Sequence, residues 1–313
     1  MAKVLISEKV AEEGIQFLKQ KGHTVKIGRG TDKAMLIEDL ADCEAVMVRT
    51  AKIDSEVLEK APKLKVVAKH GVGVDSIDVE AAKSRGCRVV YTPTANSTSV
   101  AEQAIALMCA CAKQLPYKMS EYAKGNYGIK DTCLSTELFG KTLGFIGAGR
   151  IAREAAHIAK NGFRMRVLAF DPFVPAGSLG DLMELTDRER VLKESDFISI
   201  HMPATKETIK SFSDKEFSLM KKSAYLINTA RGLIVDEEAL IKALRSGEIA
   251  GAALDVTNPE PAAKDNPLFT MENVIMTPHS AGGTAEAMVR MATDAALGID
   301  EVLSGKEPTY AFP

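Results

Sequence analysis

Short β-branched apolar runs alternate with amphipathic helical patterns along the chain, in two series. In the first, KVLIS, HTVKIG, EAVMVRT, KLKVVAKHG and CRVVYT (residues 3–92) predict strands, with helical patterns such as VAEEGIQFLKQKG and DVEAAKSRG between them. Alternation at this spacing predicts a parallel sheet covered on both faces, because each crossover helix packs back onto the sheet. The second series begins near Lys141 with TLGFIG, RVLAFD, DFISIHMP, AYLINTA, IAGAALDV and NVIMTP. Helices lie between these too, and one of them, DEEALIKALRSG, closes on the stop signal Gly247. The pattern predicts an α/β protein with two doubly wound parallel-sheet domains.

Between the series runs SVAEQAIALMCACAKQL, a helix long enough to bridge domains, followed by a polar arm bearing Tyr and Gly (residues 116–140). That arm is a candidate for packing against another subunit. A last helical pattern, about residues 285–303, follows the final strand and could return the chain to the first domain, making that domain discontinuous.

A length of 313 residues fits two domains, each able to bury its own core. A net charge of -2 gives no general attraction to nucleic acid or anionic lipid, so neither is an expected partner. The five cysteines are odd in number and form no CxxC pair, as in a reducing compartment. The N-terminus runs directly into a strand, and nowhere do about 18 apolar residues run together as a membrane helix requires. A cytoplasmic location is expected.

The candidate chemistry begins at the strand-turn-helix pattern LGFIGAGRIA. Gly147 would allow the tight turn, Gly149 the approach of backbone to a pyrophosphate, and Ala152 close packing of helix on strand. The helix start would then offer its N–H groups and dipole to phosphates. The next strand ends in Asp171, where a carboxylate can accept hydrogen bonds from both ribose hydroxyls and repels a 2′-phosphate, favouring NAD over NADP.

Three further strand ends carry Arg231, Glu260 and His279. In open α/β sheets such ends line the ligand crevice, so the three are expected to converge. Singly, His279 could be a packed or capping side chain, Glu260 a solvated loop acid and Arg231 a helix-start residue. Together they suit hydride transfer on a 2-hydroxy acid. His279 would move the hydroxyl proton, because imidazole titrates near neutrality. A planar guanidinium at Arg231 would hold the carboxylate through two parallel hydrogen bonds. Glu260 would stabilise protonated His279 and orient its ring. No metal site is expected.

HGVGVDSIDVEAA (70–82), TANSTSVAEQ (94–103), LGFIGAGRIARE (143–154), AFDP (169–172), INTARGLIVDEEAL (227–240), GAALDVTNPEP (251–261) and TPHSAGGT (277–284) together resemble the D-isomer-specific 2-hydroxyacid dehydrogenase family, chiefly its D-3-phosphoglycerate dehydrogenase branch. The resemblance covers nearly the whole chain. It implies a Rossmann NAD domain (98–284) inserted into a discontinuous flavodoxin-like substrate domain (1–97 and 285–313). It assigns Arg231 to substrate carboxylate and carbonyl, His279 to acid/base work and Glu260 to pairing with it. On the cofactor side it implies Arg150 and Ile151 at the pyrophosphate, and Met202 and Thr208 on the adenosine side. Thr229, Ala230 and Gly282 would flank the cofactor together with Arg231 and His279, and Asp255 would bond the nicotinamide carboxamide. On the substrate side it implies backbone N–H groups of Gly71, Val72 and Gly73 on the carboxylate, with Asn96 nearby. Asp255 could instead be satisfied locally, and Asn96 could cap the following helix.

Arg49 and Lys69 match positions that the phosphoglycerate branch uses on phosphate, although cations at strand ends are also commonly just solvated. The basic cluster that the branch carries in its arm is reduced to Lys130 beside Asp131. The sequence ends at Pro313 without the regulatory domain of many phosphoglycerate enzymes, so feedback control by serine is not expected. The resulting expectation is a homodimeric NAD-dependent dehydrogenase, paired through the NAD domain and the arm, with 3-phosphoglycerate the lead substrate. Hydroxypyruvate or glyoxylate reduction, or oxidation of sulfolactate, stay open. An NAD-sensing corepressor-like protein is disfavoured by the full triad, and a formate dehydrogenase by the carboxylate at Glu260.

Overall fold

The predicted strands of the first series form β1 (Lys3–Ile6), β2 (Thr24–Ile27), β3 (Ala45–Val48), β4 (Val66–Lys69) and β5 (Arg88–Val90). Helices α1 (Glu12–Gln20), α2 (Lys33–Leu40), α3 (Ser55–Lys60) and α4 (Val79–Ser84) lie between them in a computed structural model that describes residues 1–313. All pairings are parallel, in the order β2-β1-β3-β4-β5. This is the flavodoxin-like order, whose direction of winding reverses between β1 and β3. β3 is buried along its whole length, as the unbroken apolar run of a strand covered on both faces requires.

The second series starts from α5 (Ser97–Lys113). Gln114 takes a left-handed conformation at φ 51° and ends that helix, and Pro116 opens α6 (Leu115–Ala123) in its first turn. The polar arm is therefore partly helical, with α7 (Ile129–Thr132) beyond it. Then come β6 (Thr142–Ile146), α8 (Arg150–Phe163), β7 (Arg166–Phe170), β8 (Glu184–Leu185), α9 (Arg188–Glu194) and β9 (Phe197–Ile200). The series closes with α10 (Asp214–Leu219), β10 (Tyr225–Asn228), α11 (Glu237–Ser246), β11 (Gly251–Leu254) and β12 (Val274–Met276). The seven parallel strands run β12-β11-β10-β9-β6-β7-β8, the Rossmann order, with its reversal between β6 and β9. The two-residue β8 has no run long enough to announce it in the sequence. Ala152, Ala155, Ala156 and Ala159 are fully buried on one face of α8. Their small side chains let the helix lie close on the sheet.

The last helix, α12 (Ala285–Leu303), packs in the first unit. Ala292, Ala295, Ala296 and Ile299 are fully buried there with Val4, Ile6, Val66 and Ala68. Gly14 on α1 lets the helices touch, since a Cβ there would lie 2.6 Å from the Ala292 carbonyl oxygen. The chain divides into Met1–Ser97 with Gly282–Pro313, and Thr98–Ala281. Residues 282–284, read from sequence as part of the NAD domain, thus group with the first unit. Gly282 sits against Asn96, and Thr284 caps α12 by accepting the Ala287 N–H at 3.2 Å. No helix is long and apolar enough to cross a membrane.

Candidate active site

Where β6 meets α8, the turn is held by backbone geometry and by Asp171. Gly147 has φ 97°, and a Cβ on it would lie 2.5 Å from the His201 carbonyl oxygen, so only glycine fits. Gly149 differs: a Cβ there would meet nothing within 4 Å, and no side chain caps the α8 N-terminus. A helix start with no side-chain cap, behind a glycine with room beside it, is what a bound pyrophosphate needs. Arg150 and Ile151 form the first turn of α8, with Ile151 partly buried against the core.

Asp171, just past β7, accepts the Ala148 N–H at 2.8 Å on one carboxylate oxygen and the Phe173 N–H at 2.9 Å on the other. It therefore ties together the two loops that follow β6 and β7. Each oxygen keeps a lone pair for a ribose hydroxyl. Thr208 closes the loop after β9, its hydroxyl donating to the Pro203 carbonyl at 2.7 Å and accepting the Thr205 N–H at 2.7 Å, while Met202 packs partly buried against the core. Thr229 is buried with no partner for its hydroxyl, an unsatisfied group that a bound polar ligand would complete. These residues fit NAD.

The three ionisable residues converge in the second unit because an amide-locked turn and one close backbone approach bring their loops together. Asn228, buried at the end of β10, donates to the Arg231 carbonyl at 2.9 Å and accepts the Ala230 N–H at 3.0 Å. This amide-locked turn aims Arg231, whose Nη1 donates to the Ala230 carbonyl at 2.6 Å. A Cβ on Gly232 would sit 2.0 Å from the Thr257 carbonyl oxygen, so the glycine admits the loop that carries Glu260. Glu260 Oε1 accepts the Thr257 N–H at 3.1 Å, leaving Oε2 for His279 Nδ1 at 2.8 Å.

Burial works against the ionised form of Glu260, but the His279 hydrogen bond and charge, the Thr257 N–H and Arg231 outweigh it, and its pKa falls below the ordinary value. An ionised Glu260 only accepts, so His279 Nδ1 must carry the proton and Nε2 is the nitrogen left for a substrate. The hydrogen bond to Glu260 raises the His279 pKa above the usual imidazole value, against burial and the charge of Arg231. The imidazole remains 53% exposed, accessible to a reactant. His279 lies at φ 50°, in the left-handed region.

Asp255, 1% exposed, holds the loop that presents His279. Its carboxylate accepts the Thr277 hydroxyl at 2.5 Å and the Ser280 and Ala281 N–H groups at 2.9 Å each. The local role weighed for Asp255 in the sequence is thus observed. The signal for it is an acid at the end of an apolar strand, followed at 277–281 by Thr-Pro-His-Ser-Ala. Asn228 escapes the sequence reading altogether, although Asn before Thr-Ala-Arg has the form of a side chain that folds its own turn.

In the first unit, Gly71 has φ 147°, and its N–H donates to the Thr92 hydroxyl at 3.0 Å and to the Lys69 carbonyl at 3.0 Å. The Gly71 N–H is thus bonded within its own loop, whereas the N–H groups of Val72 and Gly73 donate to no main-chain carbonyl. Asn96 does not cap α5: its buried Oδ1 has no partner. Arg49 Nη1 donates to the Lys9 carbonyl at 3.1 Å, and Lys69 Nζ donates to the Arg49 carbonyl and, at 3.2 Å, to Ser76 Oγ. Lys130 pairs with Asp131 at 2.6 Å.

The NAD binding domain of D-isomer specific 2-hydroxyacid dehydrogenases matches residues 105–281. A D-3-phosphoglycerate dehydrogenase of Methanocaldococcus jannaschii is 42% identical over 311 residues, covering 98% of this chain and 58% of that protein. A glyoxylate reductase of Korarchaeum cryptofilum is 37% identical over 313 residues, covering 98% of this chain and 94% of that protein. A crystal structure of a Thermus thermophilus protein, 34% identical, superposes with a TM-score of 0.92 over 99% of this chain and 100% of that one. The chain thus spans a little over half the length of the phosphoglycerate relative and nearly all of the glyoxylate reductase. On its glycine turn, its Asp171 and its His-Glu-Arg cluster, and on these matches, the chain belongs to the D-isomer specific 2-hydroxyacid dehydrogenase family.

Proposed function

We propose that this chain is an NAD-dependent dehydrogenase that interconverts a D-2-hydroxy acid and its 2-oxo acid, with 3-phosphoglycerate the lead substrate. The observation that carries the reading is the 2.8 Å bond from His279 to Glu260, on a half-exposed imidazole that also feels the charge of Arg231. Arg231 binds the substrate carboxylate and polarises the neighbouring oxygen. His279 takes the hydroxyl proton on Nε2 during oxidation and returns it during reduction. Glu260 holds the ring in one orientation and stabilises its charged form. NAD, held by the α8 N-terminus, Asp171 and the loops bearing Met202, Thr208, Thr229 and Ala230, supplies the hydride acceptor. The carboxylate of Asp171 disfavours a 2′-phosphate.

The pH dependence follows from the raised pKa. Oxidation needs neutral His279, so its rate rises as pH climbs through that pKa; reduction needs the imidazolium, so its rate falls over the same interval. Replacing Glu260 by Gln removes the charge that raises the pKa. Both limbs should then move to lower pH, as read from kcat/KM profiles in the two directions. Profiles that stay in place would remove Glu260 from its tuning role.

Arg49 and Lys69 are assigned to a second anionic group on the substrate, supported by the similarity to phosphoglycerate dehydrogenases. The Gly71-Val72-Gly73 loop and Asn96 are assigned to the carboxylate end of the substrate. Reduction of glyoxylate or hydroxypyruvate is the second reading, favoured by a glyoxylate reductase that matches over nearly its whole length. Steady-state rates on 3-phosphoglycerate, glycerate, lactate, glyoxylate and hydroxypyruvate decide between them. A preference for small singly charged acids would defeat the phosphoglycerate assignment.

The arm exposes Met119 by 68%, Tyr122 by 64%, Tyr127 by 66% and Leu134 by 76%, an apolar set that a second copy of the chain would cover in a homodimer. Sedimentation velocity should show a dimer that Met119→Glu with Leu134→Glu converts to a monomer. A monomeric parent protein would refute this pairing.

A further inference from the structure

The winding reversal of the first sheet, between β1 and β3, is the point where open α/β sheets place a ligand. Here the chain fills it with its own side chain. Glu8, two residues past β1, lies opposite the turn that follows β3. Its Oε2 accepts the N–H groups of Arg49 at 2.8 Å, Thr50 at 2.8 Å and Ala51 at 3.0 Å. Its Oε1 accepts the Thr50 hydroxyl at 2.6 Å and the Thr50 N–H at 3.0 Å. Three consecutive N–H groups converging on one point form an anion-binding nest. An ionised carboxylate, which accepts and never donates, satisfies all of them together with the hydroxyl.

This arrangement reaches both Arg49 and Lys69. With its N–H directed at Glu8, Arg49 accepts the Lys69 ammonium on its carbonyl, and its guanidinium donates to the Lys9 carbonyl at 3.1 Å. Glu8 and Lys9 are neighbours, so the segment after β1 grips Arg49 at both ends. One carboxylate thereby sets the backbone from which Arg49 projects and the carbonyl to which Lys69 is tethered.

We infer that Glu8 is a positioning residue that sets the enzyme's preference for substrates with a second anionic group, by fixing Arg49 and Lys69 without itself touching substrate. The inference rests on the assignment of Arg49 and Lys69 to that second anion. Gln is nearly isosteric with Glu, but its NH2 group accepts nothing, so Glu8→Gln removes the charge and at least one of the hydrogen bonds while keeping the volume.

The test compares kcat/KM for 3-phosphoglycerate with that for glycerate, which lacks only the phosphate, in the parent enzyme, Glu8→Gln and Arg49→Ala. The loss of one charge-assisted hydrogen bond corresponds to about tenfold or more. Glu8→Gln should therefore lower the phosphoglycerate-to-glycerate ratio by about tenfold or more, through KM for phosphoglycerate, with kcat on glycerate little changed and the melting temperature lowered because donors lose their acceptor. Equal losses on both substrates, or an unchanged ratio while Arg49→Ala lowers it, would overturn the role of Glu8 and leave the anion assignment standing. A ratio that Arg49→Ala leaves untouched would overturn that assignment and, with it, the inference. Glu8→Asp keeps the charge a methylene short of the nest and carries the same expectation, to a smaller degree, if the Gln variant does not fold.

Discussion

A His279→Ala enzyme is expected to lose about 10²–10⁴-fold in kcat, the range that a positioned acid or base contributes, while it binds NADH nearly as the parent does. His279 is the one imidazole of the cluster. Glu260 cannot substitute for it, because its carboxylate already accepts from Thr257 and its pKa lies below the ordinary carboxylate value. A carboxylate that stays ionised accepts a proton weakly near neutrality. Nor should the variant collapse, because Asp255 bonds Thr277, Ser280 and Ala281 on either side of position 279 without using the imidazole. Turnover measured in both directions, beside an NADH fluorescence titration, checks the prediction. Unchanged turnover would refute the acid/base role. The same measurement separates an enzyme from an NAD-sensing protein, since the latter would show negligible turnover in the parent as well.

Arg231→Ala should be comparably severe. A guanidinium on a carboxylate makes two charge-assisted hydrogen bonds of roughly 1.5–3 kcal/mol each. Their joint loss corresponds to about 10²–10⁴-fold in kcat/KM at about 1.4 kcal/mol per decade. Because the guanidinium is also assigned to the oxygen that gains charge, both kcat and KM should suffer. Arg231→Lys is the sharper control: it keeps the charge and loses the planar fork, so it should recover only part of the loss. Full recovery by Lys would mean that a point charge suffices. The Asn228 amide holds the Arg231 main chain, so the side chain can be replaced while the turn persists.

The two sheets are legible because their strands are continuous apolar runs such as AVMV and TLGFI, which no half-exposed strand would carry. The triad is legible because each member stands a few residues beyond such a run. Contacts made by backbone are not. Gly232 reads in sequence as a neighbour of Arg231, yet its part is to admit the Thr257 loop, across 25 residues of chain. Glu8 looks like any acid near a strand end until the nest after β3 closes on it. The Gly71 N–H meets the Thr92 hydroxyl, a partner that the strand pattern alone leaves unremarkable. In each case the missing information is the register of one loop against another, which packing of the whole unit determines.

The left-handed backbone at His279 puts stability and chemistry in opposition at a single torsion angle. At φ 50°, a residue with a Cβ carries a conformational cost of roughly 1–2 kcal/mol that glycine avoids and Asn tolerates. A population of variants sorted only by resistance to heat should therefore drift toward Gly or Asn at this position and become inert as it does so. On the proposed acid/base role, what keeps an imidazole there is the reaction, exerted against the preference of the chain that folds around it.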